Sequence, residues 1–569
     1  MEWQIKHRLT AVIPQERIQE IIKLILNNRG LTTQHQIKEF YYPSPPSDIP
    51  LKEIGLKKAP ITKAINRIHQ AINDQEQIII YGDYDADGIC ATAIIWESLS
   101  QLGAQVMPYI PDRFTEGYGM KKDTIKKLQQ QNPNLKLIIT VDQGIVAFKA
   151  AEYCQELGID LIITDHHQPD KQLPPAFAII HSTRTSGSGV AYWFANQIKN
   201  QILNSKNTDQ KLNRTKNYQL TTNNYLDLAT IGTIADVIPL QGINRNLVYH
   251  GLKSFVQNQR PGLHALFKIS KVDQQAIEPY HISHIIAPRI NAMSRLEHGI
   301  EALRLLCTRN SVRAQKLAQL LNHTNVLRQD ETEQTFKHAQ HLVQQINSDQ
   351  KIIIVGDQTF SEGVIGLVAS KLVETFYKPA IVYTQTDQGI KASVRSINEY
   401  NIIQALREID IEFLSVGGHP MAAGFTIQRE NLEEFSRKIS IHAQKYLKDL
   451  NIQPSLEIDT QIELSDITDQ LYHQIQKFAP FGYGNPAPMF ATQNVNIINV
   501  WTVGKQNQHL KIHLKQKGLI FNAIAFNQST KLESISKKQP VDLAYQIIEN
   551  KWNGKRNLEL IIKDIHFHI

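Results

Sequence analysis

The chain has 569 residues, of which 42% are apolar and 20% charged, with three cysteines and a formal net charge of +7. Its length points to about three or four domains at roughly 150 residues each, and no apolar run reaches the roughly 18 residues that a membrane span needs. Cys90, Cys154 and Cys307 lie far apart with no CxxC pair, which argues against a zinc ribbon or disulfide framework and for a reducing cytoplasm.

The opening MEWQIKHRLT has no apolar segment after its charges, so no signal peptide is expected. Residues 1–60 read as a small helical cap ending in the Pro-rich turn YYPSPPSDIP. From about residue 76 the pattern becomes strand, loop, helix, repeated. QIIIYG (77–82), AQVMPYI, LKLIITV and DLIIT are short, apolar and β-rich, which predicts a parallel sheet with helices on both faces. The Asn/Gln/Lys-rich stretch 199–224 is expected to be an exposed insertion. A long helix is predicted over about 310–347, where Ala314, Leu317, Ala318 and Leu321 keep i, i+3, i+4, i+7 spacing. A second α/β unit follows, with KIIIVGD (351–357) and PAIVYTQ (379–385) as strands around a helix at 364–376. The last 110 or so residues hold short alternating runs, HLKIHL (509–514) and LIFNAIAF (519–526), which suggest a small antiparallel barrel.

The strongest chemical signal is GDYDADG (82–88), with Asp83, Asp85 and Asp87 at alternate positions. Such crowding of carboxylates calls for a compensating cation. An EF-hand loop would need Glu at its twelfth position, where Ile94 stands, and would follow a helix. Asp142 in VDQG and Asp165-His166-His167 in TDHH each directly follow an apolar strand; Asp236 lies in IGTIADVIPL, a segment that could be strand or helix. Ligands of open parallel sheets collect outside the carboxyl ends of the strands, so these clusters can share one cleft. A carboxylate-rich set with an imidazole suits Mg²⁺ or Mn²⁺. So many acids favour two ions bridged by a shared carboxylate, an arrangement suited to in-line attack of water on a phosphodiester.

At these residues the sequence resembles the DHH phosphoesterase family: GDYDADG, VDQG, DHH and the Asp236 segment look like its four motifs. NRGLTTQHQIKEF, PDRFTEGYG (111–119), PRINAMSRLE (288–297), GGHPMAAGF (417–425) and FGYGNPAPMF (481–490) narrow the likeness to the long, single-strand-specific DNA exonucleases of that family. The resemblance implies a cap (1–60), a DHH catalytic domain (61–305), a connecting helix (306–348), a DHH-associated α/β domain (349–450) and an OB-like single-strand-binding barrel (451–569). It implies metal ligation by Asp83, Asp85, Asp87, Asp142, His166 and Asp236, with Asp142 bridging, His167 facing the substrate phosphate and Asp165 orienting the histidines. It also implies substrate contacts from Arg113, Arg289, Arg295, Arg395 and Gly417-Gly418-His419, and from the barrel's Trp501, Lys505, His509 and Lys511.

The expected activity is a 5′→3′ exonuclease on single-stranded DNA in repair and recombination, using two Mn²⁺ or Mg²⁺ ions and releasing 5′-mononucleotides. A monomer is expected, served by a helicase and a single-strand-binding protein. The alternatives are a small-substrate or oligonucleotide-trimming phosphoesterase and an inactive DNA-binding scaffold. Gln143, HSTRTSGSGV (181–190), Met293-Ser294 and Ser361-Glu362 depart from the family pattern without removing a metal ligand.

Overall fold

The structure is a computed structural model. It describes the chain except residues 10–15, 118, 204–224, 258–259, 346–348, 451, 536–539, 553 and 568–569. The insertion expected at 199–224 therefore lies, from 204 onward, outside the described residues. Two compact units divide the chain: one holds Pro45–Ile238 and His250–Ile452, the other Met1–Ser44, Pro239–Tyr249 and Gln453–Ile569.

The larger unit begins with the predicted parallel sheet. Its strands run in the order Gln105–Tyr109, Gln77–Tyr81, Leu135–Val141, Asp160–Asp165, Ala178–His181, all parallel. Ile78, Ile79 and Ile80 are all fully buried, as expected where helices cover both faces and alternation is lost. The chain moves to one side of Gln77–Tyr81 for its second strand and to the other for the rest. The topological switch point, where open α/β sheets bind ligands, thus falls between Gln77–Tyr81 and Leu135–Val141.

The predicted long helix is Ser311–Gln344. The Asn310 side chain caps it by accepting from Arg313 N, and Ala314, Leu317, Ala318 and Leu321 are buried. It leads to a second sheet in the order Ser415–His419, Ala422–Ile427, Gly389–Arg395, Ala380–Thr386, Ile353–Gly356, in which only the last two strands are parallel.

The smaller unit is built on a closed five-stranded barrel. Phe490–Val503, His509–Gln516, Leu519–Ala525, Lys555–Phe567 and Val541–Trp552 pair in that order, and Phe490–Val503 closes the ring on Val541–Trp552. The N-terminal residues depart from the expected helical cap. Glu2–Arg8 is a strand, paired in parallel with Ser455–Gln461. Trp3 and Ile5 alternate with exposed neighbours and pack on Ile458, Ala491 and Ala544. Helix Arg17–Asn28 sends Ile21 and Ile25 into the same core as Phe478, Phe490, Leu510 and Tyr545. Residues 1–60 are thus divided between the units after Ser44, because residues 2–8 carry a strand period and their apolar face belongs to the barrel.

Candidate metal centre

The tight turn after Gln77–Tyr81 gathers the first three acids. Asp85 caps helix Ala86–Gln101 through Oδ1, which accepts from Gly88 N at 3.0 Å. Asp83 Oδ1 accepts from Tyr84 N at 2.7 Å. Asp87, in the first turn, is buried and receives Gly187 N at 2.7 Å and Ser188 N at 3.0 Å. Asp142 leaves the end of Leu135–Val141 with φ +61, a left-handed conformation that Asp tolerates better than most residues. His166 follows Asp160–Asp165, and Asp236 is the residue that ends helix Leu226–Ala235.

The fold brings these groups together. His166 Nε2 stands 3.0 Å from Asp142 Oδ1 and 3.5 Å from Asp236 Oδ2. Ligand atoms of Asp83, Asp85 and Asp142 lie within 4.8 Å of one another, as do those of Asp87, His166 and Asp236, and those of Asp142, His166 and His167. Glycines make the crowding possible: a Cβ on Gly187 would stand 2.3 Å from Asp142 Oδ1, and one on Gly232 would stand 2.1 Å from Asp87 Oδ1.

Electrostatics give the same picture. Burial, reinforced by the neighbouring carboxylates, pushes Asp83 up to about 8, Asp236 to about 9 and Asp142 well above the ordinary range. Burial and Asp85 push Asp87 up to about 6 against its backbone hydrogen bonds. His166 is driven down to about 4 by burial and then by His167, so it is neutral with a free lone pair. Asp142 Oδ1 is buried and, among the described residues, accepts no aligned hydrogen bond, despite its closeness to His166. An orphaned carboxylate oxygen beside a neutral imidazole and further acids is the donor set of a divalent cation, and the residues fit a pair of such ions.

Asp165 and His167 form a different arrangement. Asp165 Oδ1 accepts His166 N at 2.7 Å, His167 N at 3.1 Å and His167 Nδ1 at 2.8 Å, while Oδ2 accepts Ile145 N at 2.9 Å. Burial opposes charge on Asp165, but these bonds hold it below the usual carboxylate range. Burial likewise opposes charge on His167; the Asp165 bond and the surrounding acids outweigh it and raise His167 to about 9.

The arginines gather nearby. Arg113 lies 5.2 Å over the Tyr84 ring. Arg295 Nη1 donates to Gly363 O at 3.0 Å, and Arg395 Nη1 donates to Val394 O at 2.8 Å. Burial, then repulsion from Arg113, Arg328 and Arg395, lowers Arg295 to about 9. Arg289 donates to Ile285 O at 2.6 Å and to Asn322 Oδ1 at 3.1 Å. Among the described residues none of Arg113, Arg289, Arg295 or Arg395 makes an ion pair. Gly417-Gly418-His419 forms an exposed sheet edge, and register sets His419 opposite Ala422 and Ala422 opposite Arg395. In the barrel, Trp501 is 37% exposed and Lys505 is exposed, whereas Lys511 is paired with Glu559 at 2.9 Å and His509 Nδ1 accepts Asn527 N at 3.0 Å.

Arg328 escapes sequence reasoning, being one of many charges on the long helix. Asn291 was within reach, since it stands in PRINAMSRLE; its Oδ1 accepts Ala86 N at 2.7 Å and fixes the acidic turn. The departures also find partners. Gln143 Nε2 donates to Gly82 O, tying the second motif to the first, Ser294 Oγ donates to Tyr84 O, and Ser182 Oγ to Ile54 O. Glu362 pairs with Lys391.

Comparison with known proteins decides the family. Residues 77–233 match the DHH family N-terminal domain, 349–444 the DHHA1 domain and 458–564 the RecJ OB domain. The single-stranded-DNA-specific exonuclease RecJ of Bacillus subtilis (strain 168) is 33% identical over 99% of this chain and 70% of its own length. The chain belongs to the RecJ family. The crystal structure of RecJ from Thermus thermophilus in complex with Mn²⁺ aligns with a TM-score of 0.82 at 27% identity, covering 100% of this chain and 80% of the other. The Mg²⁺ complex aligns at 0.75 and 26% identity, covering 100% and 79%. The centre described above is therefore a site for Mn²⁺ or Mg²⁺ in a metal-dependent nuclease. No helix among the described residues is long and apolar enough to cross a membrane.

Proposed function

We propose that this RecJ-family chain is a single-strand-specific DNA exonuclease that works 5′→3′, releases 5′-mononucleotides and serves repair and recombination in the cytoplasm. The observation that carries the reading is the meeting of two acidic groups, Asp83-Asp85-Asp142 and Asp87-His166-Asp236, at the switch point of the sheet. These residues would hold the two ions, with Asp142 between them. When bound, the metals lower the pKa of an attacking water and neutralise charge on the phosphoryl oxygens.

The chain's own residues do the rest. Asp165 fixes the His167 ring and keeps it protonated, so that His167 can donate to a phosphate oxygen. Arg113, Arg295 and Arg395 carry positive charge with no acid partner among the described residues, which suits a phosphate-bearing strand end. Gly417-Gly418-His419 offers backbone N–H groups and an imidazole to the same nucleic-acid strand. The closed barrel gives a surface for base stacking and backbone contact. Such an enzyme works as a monomer on strands exposed by a helicase or held by a single-strand-binding protein.

The test uses one oligonucleotide labelled at either end, with Mn²⁺. A 5′ label should appear at once as mononucleotide, whereas a 3′ label should pass down a ladder of shortening strands. The reverse pattern would refute the polarity, and uniform internal products would refute exonuclease action.

A further inference from the structure

Pro279–Leu296 is one continuous helix interrupted by a π turn at Ile282–Ile286. Such turns are uncommon and concentrate at functional sites. Here the turn and the residues just before it present an aromatic pair to solvent. Tyr280, 60% exposed, stacks on the exposed ring of His284 with centroids 4.6 Å apart and ring planes 19° from parallel. Ser283 Oγ lies 2.6 Å from His284 Nδ1 and holds that ring in place. An aromatic ring held flat in water by its neighbours is an open stacking face, which every nucleobase can use.

The other end of the helix reaches the metal centre, where Asn291 takes Ala86 N and Ser294 binds Tyr84 O. Cationic groups lie between the two ends. Arg289 is bonded back to Ile285 O, and Arg328 repels it from the long helix while keeping a buried Nε with no hydrogen-bond partner among the described residues. A guanidinium so placed is satisfied by an anion. We propose that the Tyr280–His284 pair is a base-stacking site for the strand that leads away from the metal centre, and that Arg289 and Arg328 grip the intervening phosphates. The stacking site rests on the reading of this chain as a single-strand nuclease.

Distance gives the proposal a length threshold. At about 1.5 Å per residue, His284 and Tyr280 lie roughly 16–22 Å along the helix from Arg295. That spans about five or six stacked nucleotides at roughly 3.4 Å each, or fewer if the strand is extended. Strands of two or three nucleotides cannot reach the pair.

The test measures anisotropy of fluorescein-labelled dT20 and Mn²⁺-dependent kinetics on dT2, dT3 and dT20 for the full chain and for Tyr280→Ala/His284→Ala. Both side chains are exposed, so the variant keeps its fold. Loss of stacking should weaken dT20 binding and raise its KM by about tenfold, with kcat and turnover of dT2 and dT3 unchanged; Tyr280→Phe should bind as the parent does. An abasic site five or six nucleotides from the reacting end should weaken the parent and not the double variant. Equal dT20 affinity and KM in parent and double variant would overturn the stacking site while leaving the exonuclease intact. A parent that neither binds nor cleaves dT20 would overturn the exonuclease reading and the stacking site together.

Discussion

His166 Nε2 stands 3.0 Å from Asp142 Oδ1, yet no aligned hydrogen bond joins them. Their closeness comes from the topology: two adjacent parallel strands end side by side, one in Val141 just before Asp142 and the other in Asp165 just before His166. Without a cation the acids around them repel one another, and the metal-free protein should show it. A carboxylate whose folded pKa is raised stabilises the fold while protonated and loses that contribution as pH rises through the folded pKa. The metal-free protein should therefore lose stability between about pH 4 and pH 9, the range set by the ordinary carboxylate value and the raised values of about 8 for Asp83 and 9 for Asp236. Asp142→Asn should melt at least about 2 °C higher than the parent in EDTA at pH 8, and Mn²⁺ should raise the parent's Tm more than the variant's. Equal melting in EDTA would argue against the repulsion.

Gly187 and Gly232 supply a test that touches no ligand. A methyl on Gly187 would press into the Asp142 carboxylate, and one on Gly232 into Asp87 and Ser188. Gly187→Ala or Gly232→Ala should displace a ligand and cut Mn²⁺-dependent turnover by roughly 10–100-fold, the range seen when support of a metal site is disturbed. Far-ultraviolet circular dichroism should stay unchanged. Near-normal turnover would mean that the ligands sit less tightly than the structure has them.

Arg260 ties together two helices, Ala86–Gln101, which bears Asp87, and Leu226–Ala235, which ends at Asp236. It grips Glu97 on Ala86–Gln101 at 2.7 and 2.9 Å and Asp227 on Leu226–Ala235 at 2.8 Å, all buried. Arg260→Ala leaves two acids buried without this partner and should destabilise the protein by about 3–5 kcal/mol. Adding Glu97→Gln and Asp227→Asn should recover much of that loss. Urea denaturation of the single and triple variants measures both effects.

Glu116 organises the loop that bears Arg113. It accepts Tyr109 Oη at 2.8 Å, Thr124 Oγ1 at 2.7 Å and Asp112 N at 3.1 Å. Glu116→Ala removes all of these and leaves partly buried donors unpaired, at about 1–3 kcal/mol each. Arg113 should lose its fixed position, so KM on single strands should rise severalfold while kcat changes less. An unchanged KM would separate Arg113 from substrate binding.

The parallel sheet was legible because its strands are short apolar runs and three acidic motifs directly follow them, so strand-end logic reached Asp83, Asp142 and His166 from the sequence alone. Asp236 was ambiguous, since IGTIAD suits a buried strand as well as the helix end it forms, where Leu226–Ile234 is buried on every side. Glu2–Arg8 was missed because its strand alternation, Trp3 and Ile5 inward, is only two residues deep and its partner, Ser455–Gln461, lies more than four hundred residues away. That long-range pairing matters for experiments. Cutting the chain near residue 450 would strip Ile21 and Ile25 of Phe478, Phe490 and Tyr545, so point substitutions at Trp501 or Lys505 are the sounder probes of the barrel. Arg328 carried no local signal, because what distinguishes it is the absence, among the described residues, of a hydrogen-bond partner for its buried Nε.

The proposal that Asp142 joins two cation sites that together hydrolyse single-stranded DNA is tested most directly by purified Asp142→Ala. The variant is checked for folding and assayed beside the parent on a long single strand with saturating Mn²⁺. The parent should cleave only when Mn²⁺ or Mg²⁺ is supplied, and the variant, though folded, should lose nearly all cleavage. A folded Asp142→Ala that cleaves at a near-normal rate would contradict the two-metal centre.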